Sequence, residues 1–216
     1  MTRMSVALSL TALALIASAP AAAAPETAPD ALVRTSIDEV LAIIKTDKDL
    51  QAGNQRKILA LVEEKVLLHF DFARMTRLAM GRNWSKASDA QKKALVDEFR
   101  TLLVRTYSTS LSQYRNQTID VKAAKLAAGD QDTVVRTVVN QPGGQPIPID
   151  YGMERTEGGW KVYDVVVDGV SLVTTYRSSF HDQIQRSGVD GLVKTLADRN
   201  RTSDAPKAPG KADGKK

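Results

Sequence analysis

The run from Trp160 to Phe180, WKVYDVVVDGVSLVTTYRSSF, constrains the fold more than any other part of the chain. Trp160 to Asp164 alternate in character, and Val165, Val166 and Val167 then run together. A short β-branched run bounded by Gly159 and by Asp168-Gly169 predicts a largely buried strand. Beyond Gly169 the period changes: Leu172, Tyr176, Phe180 and Ile184 fall four apart, the spacing of one helix face. A buried strand therefore turns at Asp168-Gly169 and feeds an amphipathic helix that folds back on the sheet. The apolar surface so formed is itself the candidate site.

The rest of the chain supplies partners for that unit. Val33, Ile37, Val40, Leu41 and Ile44 mark one helix face, with Asp30 as the expected N-cap. A polar break at 46–54 precedes a second helix marked by Ile58, Leu61, Val62 and Leu68. Asp71 is placed to cap a third, carrying Phe72, Met75, Leu78 and Ala79, and Gly81 suits its exit. Ser88-Asp89-Ala90-Gln91 has the form of a capping box. The longest helix follows, with Leu95, Phe99, Leu102, Leu103, Tyr107, Leu111 and Tyr114 on one stripe.

From Ile119 the period is two, through Val121 and Ala123, then through the compact run Thr133 to Val139, then through Ile147, Ile149, Tyr151 and Met153. Gly129-Asp130, Pro142-Gly143-Gly144 and Gly158-Gly159 separate the runs at hairpin intervals. Four strands in an antiparallel meander are expected. Gly188 should stop the helix of Tyr176 and Phe180, and a last helix carries Val189, Leu192, Val193 and Leu196. The expected class is α+β, with helices packed on one face of an antiparallel, about four-stranded sheet.

The termini read differently. Arg3 precedes an apolar run, VALSLTALALIASA, and then small residues, the pattern of a cleaved secretory signal rather than a membrane span. Cleavage fits after Ala19 or near Ala24, with Ala24 preferred. Residues 1–24 are thus assigned to the signal peptide, 25–202 to one folded domain and 203–216 to a basic, disordered tail. The expected address is a bacterial periplasm. With no cysteine, disulfides, thiolate metal sites and a cysteine nucleophile are excluded. Lys and Arg number 30 against 25 Asp and Glu, an excess too diffuse, in an exported chain, to suggest nucleic acid as a partner.

Chemistry is hard to find. His69 and His181 lack metal-ligand spacing, and no GxSxG elbow, P-loop or GxGxxG occurs. Asp150 and Asp164 would flank a small cleft if they served as the paired carboxylates of a hydrolase or isomerase, but both also suit strand edges facing water. Aromatics are only 5% of the chain, yet Tyr107, Tyr114, Tyr151, Trp160, Tyr163, Tyr176 and Phe180 concentrate in the long helix, the sheet and the helix after it. Tyrosine suits the mouth of an apolar cavity because its ring is hydrophobic and its hydroxyl polar. A lipid-sized pocket accounts for them together. A protein-only adaptor, with these stripes serving as solid core, is the third reading.

Gly81-Arg82-Asn83-Trp84, FRTLLVRTY, IPIDYGM and GGWKVYDVVVDGVSLVTTYRSSF, in that order, resemble the MlaC, or toluene-tolerance Ttg2D, family of periplasmic phospholipid-binding proteins. The resemblance spans about residues 30–200. It implies a non-enzymatic, monomeric carrier with bound phospholipid as cargo and no cofactor. It also implies an apolar cavity between sheet and helices that takes the acyl chains. The implied partners are glycerophospholipid, an outer-membrane MlaA–porin complex and an inner-membrane ABC transporter containing MlaD, a circuit that maintains outer-membrane lipid asymmetry. Carried onto this sequence, the lining comprises Leu103, Tyr107, Ile149, Tyr151, Val162, Val165, Val167, Val170, Leu172 and Tyr176.

Overall fold

The computed structural model describes residues 27–112 and 117–202. The segments assigned to a signal peptide and a basic tail lie outside the described residues, as does Tyr114.

Helix α1 (Pro29–Thr46) turns Val33, Val40 and Ile44 inward. It begins one residue before the expected cap. Pro29 opens the helix with its preset φ, so Ala28 is the N-cap, and Asp30 falls in the first turn, where its charge complements the helix dipole. The expected polar break contains a short helix, α2 (Lys48–Gln51), because Asp47 accepts hydrogen bonds from the backbone N–H groups of Asp49 and Leu50. Helix α3 (Gln55–Leu61) then passes into a π turn over Val62–Val66 and a 3₁₀ turn over Leu67–His69. The wider turn rotates the chain off its starting face. Leu68, expected to continue the face of Ile58 and Leu61, is therefore 50% exposed.

The predicted caps of the next two helices are present. Asp71 accepts from the Arg74 N–H at 2.7 Å and opens α4 (Phe72–Met80), which ends at Gly81 with φ +53°. Ser88 and Gln91 bond reciprocally, Ser88 N–H to Gln91 Oε1 at 2.9 Å and Gln91 N–H to Ser88 Oγ at 3.2 Å, ahead of α5 (Asp89–Ser112).

Strands β1 (Thr118–Val121), β2 (Asp132–Asn140), β3 (Ile147–Thr156), β4 (Gly159–Val167) and β5 (Val170–Ser171) form an antiparallel sheet in sequence order. There are five strands where four were expected. The chain does not pass directly from the Asp168-Gly169 turn into a helix. Both turn residues have positive φ, 50° and 79°, the geometry of a tight hairpin, so Val170 pairs back on Val167 before the helix starts. Ala123, expected in the first strand, lies beyond it and is exposed.

Helix α6 (Leu172–Arg201) starts at an N-cap, Ser171, whose hydroxyl accepts from the Thr174 N–H. Its backbone leaves helical geometry at Gly188 (φ 69°), where a stop was expected, and resumes at once. Leu172, Tyr176 and Phe180 are buried, as their spacing predicts.

Two of the cores explain how sheet and helices meet. Helices α4, α5 and α6 share one, built on Met75, Leu95, Phe99, Val173, Phe180 and Leu196. The sheet and α1 share another, built on Val33, Val121, Val135, Met153, Trp160 and Val162. Phe70 packs against both and lies beside β4, paired with Val162 in a parallel bridge.

Candidate functional site

Strand pairing decides which side chains share a surface. Ile149 and Tyr151 on β3 stand opposite Val167 and Val165 on β4, and Val167 stands opposite Val170 on β5. Directly opposed residues point to the same face. Simple alternation would send Val162 to the other side from Val165. A β-bulge prevents this: the register shifts at Gly152/Met153, and Val162 pairs with Met153 while Asp164 pairs with Gly152. The extra residue, Tyr163, lies over Gly152 on the opposite face, its ring 3.2 Å from where a Gly152 Cβ would sit. All six strand residues expected in the lining thus share one face.

That face is sealed at one end and accessible at the other. Val162 is buried with Trp160 and Met153 against Val33 of α1. Ile149, Tyr151, Val165 and Val167 are only half-buried, and Val170 is 43% exposed. A row of apolar side chains left partly open by its own chain is a surface that an apolar ligand or partner can cover.

The four helical residues expected in the lining fall in the adjoining core. Leu103, Leu172 and Tyr176 are buried there, with Tyr176 edge-on to Phe99 at 5.0 Å between ring centroids. Tyr107 is half-buried against the same core. Its hydroxyl is shielded from solvent and has no hydrogen-bond partner among the described residues. Burial pushes the Tyr107 hydroxyl well above its ordinary value, with a smaller contribution from Tyr176. Burial likewise raises Tyr151 and Tyr176, each partly offset by a hydrogen bond, to Thr137 and Thr106 respectively. All three are neutral hydroxyls at physiological pH.

The residues of the hydrolase reading do not converge, and Asp150, Asp164 and His181 have other partners. Asp150 and Asp164 are on the opposite face of the sheet, since they pair with Val166 and Gly152. Asp150 lies 3.8 Å from Arg136. The Asp164 carboxylate accepts from the Ser171 hydroxyl at 2.6 Å and from the Val173 N–H at 3.2 Å. Asp164 is thus neither a cleft carboxylate nor a strand residue facing water, the two expectations for it, but ties the first turn of α6 to β4. His181 Nδ1 is 3.3 Å from the Asn83 amide. Desolvation and the nearby Lys161 lower the pKa of His69. Among the described residues, no cluster of three or more His, Cys, Asp or Glu is placed to hold a metal ion.

One interaction had no signal in the sequence. Arg74 of α4 pairs with Glu154 of β3 and, at 2.8 Å, with Asp132 of β2, while its guanidinium lies 3.7 Å from the Tyr163 ring centroid. It clamps α4 to the outer face of the sheet through the bulge. Only the register, which places Asp132 opposite Glu154, brings these partners together.

A family model described as MlaC protein matches residues 34–198. The chain belongs to the MlaC family. That span runs from α1 into the second half of α6 and includes all ten expected lining residues. Toluene tolerance protein ttg2D of Pseudomonas putida is 28% identical over 185 residues, covering 85% of each chain. The intermembrane phospholipid transport system binding protein MlaC of Haemophilus influenzae is 22% identical over 174 residues, 79% of this chain and 81% of the relative. Among solved structures, the phospholipid-binding protein of Ralstonia solanacearum, in complex with a phospholipid, superimposes with a TM-score of 0.74 at 45% identity. The match covers 80% of this chain and 97% of that one. The MlaC fold of this chain is therefore shared with a protein that has been seen holding its lipid.

Proposed function

We propose that this MlaC family member is a periplasmic phospholipid carrier, exported by residues 1–24 and active as a monomer. It takes glycerophospholipid between an outer-membrane MlaA–porin complex and an inner-membrane ABC transporter containing MlaD, and so helps to keep the outer membrane asymmetric. The observation that carries this reading is the 45% identity, over most of both chains, with a protein solved around a phospholipid. The half-open apolar face of the sheet supports it, since that face offers hydrocarbon contact without fixed charge. In this reading Ile149, Tyr151, Val165, Val167 and Val170 touch acyl chains from the sheet side. Leu103, Tyr107, Leu172 and Tyr176 approach from the helices, and Val162 closes the inner end.

The physical task is solvation. Each CH₂ kept from water is worth about 0.8 kcal/mol, so a phospholipid with two chains of about 16 carbons does not cross an aqueous gap unaided at a useful rate. A protein interior of hydrocarbon character removes most of that barrier. Because bilayer and interior solvate the chains almost equally well, loading and unloading stay near balance, and direction comes from the partner machines. No group needs to make or break a covalent bond. Asp150, Asp164, His69 and His181 are then structural, and no cofactor is involved.

Native mass spectrometry of the chain purified from the periplasm tests the reading. Phospholipid bound one or two per protein is expected; a protein that stays lipid-free beside membranes overturns it.

A further inference from the structure

A buried hydroxyl without a partner is an uncommon feature in a folded protein, because polar groups removed from water are almost always hydrogen-bonded. The Tyr107 hydroxyl is one such group. Its ring packs against the α4–α6 core beside Tyr176, and the neighbouring Thr106 donates to the Leu102 carbonyl at 2.7 Å and shares its other hydrogen bond with Tyr176. A phenol in this position is a neutral donor, since burial holds its proton on. Nothing about α5 requires a hydroxyl here: phenylalanine would fill the same space and leave no donor unpaired. The group is explained if its acceptor arrives with the cargo.

The chemistry of the surroundings limits what that acceptor is. The group that acts electrostatically on Tyr107 is another neutral phenol, Tyr176. Arg199 acts on Tyr176 but not on Tyr107 itself, so a phosphate oxygen brought to this hydroxyl would be a charge taken out of water without a cation acting on the same group, an unfavourable placement. An ester carbonyl is neutral, accepts a hydrogen bond, and sits at the head of each acyl chain, where hydrocarbon gives way to polar atoms.

We propose that Tyr107 is a specificity-determining residue that donates a hydrogen bond to an acyl-ester carbonyl of the bound lipid. The site thereby distinguishes ester-linked from ether-linked phospholipids. This inference rests on the carrier reading and deepens it. The ether analogue has the same chains and headgroup but lacks the carbonyl, so its loading leaves the phenol unpaired. A site built to satisfy a buried donor penalises a ligand that cannot accept from it.

The test uses the mature, delipidated protein offered vesicles with equal amounts of diester and diether phosphatidylcholine of identical chain length, with loading read by native mass spectrometry. The native chain should take the diester in about fivefold excess, the worth of one neutral hydrogen bond. Tyr107→Phe, which keeps the ring and its packing, should take both equally. Infrared spectra of bound ¹³C-carbonyl diester add a direct readout: a carbonyl band shifted down in the native protein should move back up in Y107F. Equal loading by the native chain, or an ester preference that survives in Y107F, overturns the inference while leaving the carrier intact. Loading of neither lipid removes the carrier reading and this inference with it.

Discussion

Asp164→Ala should be among the most costly single substitutions outside the apolar cores. The carboxylate accepts three hydrogen bonds: from its neighbour Val165 N–H at 2.9 Å, from the Ser171 hydroxyl at 2.6 Å, and from the Val173 N–H at 3.2 Å. Water replaces the first at little cost in the half-exposed strand. The other two are charge-assisted and hold the first turn of α6, where four N–H groups lack intrahelical partners. Each such bond is worth about 1.5 kcal/mol, and a negative charge at a helix N-terminus adds about 0.5 kcal/mol. Ser171 keeps its own bond to the Thr174 N–H and so retains part of the cap. The expected loss is about 3 kcal/mol for Asp164→Ala. It falls to about 1 kcal/mol for Asp164→Asn, whose amide oxygen still accepts from one donor. With an m-value of about 2 kcal/mol/M for a domain of this size, the urea midpoint should fall by about 1.5 M in the alanine variant. The same turn carries Leu172 and Tyr176, so retention of co-purifying lipid should fall as well. A midpoint for Asp164→Ala within about 0.2 M of the native value, on the same m-value scale, refutes the tie between β4 and α6.

Further outcomes are expected at other sites. Val165→Asp and Leu103→Glu, which put a charge into the proposed lining, should abolish lipid retention. Val134→Asp, on the opposite face at a position already 41% exposed, should retain lipid; native mass spectrometry of the folded variants decides. Gly152→Ala should destabilise by about 1 kcal/mol in urea titration, because its Cβ meets a Tyr163 ring that the clamped Arg74 does not let move aside. Burial and Lys161 hold His69 below its ordinary value of 6.5, so the unfolded chain binds this proton more readily than the fold does. Stability from this group is present above pH 6.5 and is lost as pH falls toward the lowered value; the urea midpoint should drop on acidification, and His69→Asn should flatten that slope.

Local signals were the most legible part of the sequence. The Ser88–Gln91 capping box, the Asp71 cap, the Asp168-Gly169 turn and the four-residue spacing from Leu172 to Phe180 each depend on neighbours within a few residues, and each appears in the structure. What escaped depends on a change of period or on partners far along the chain. The π turn at Val62–Val66 breaks the helical count that placed Leu68 inside. The bulge at Gly152/Met153 breaks the two-residue count of β4, and period alone would have put Val162 and Val165 on opposite faces. Their membership of one surface entered through a family resemblance rather than through spacing. The Arg74 clamp joins residues 58 and 80 positions apart, and only tertiary pairing reveals it. Asp164 looked like a solvent-facing carboxylate because its helix partner lies across a hairpin that sequence did not resolve.

The central claim is that the face of the sheet carrying Ile149, Tyr151, Val165 and Val167 holds the fatty chains. A phospholipid bearing a photoreactive diazirine in mid-chain tests it most directly, with labelled peptides located by tandem mass spectrometry after loading and irradiation. Label within 147–153 and 162–172 is the predicted result. Label confined to the opposite face, around Val134 and Arg136, would contradict the account.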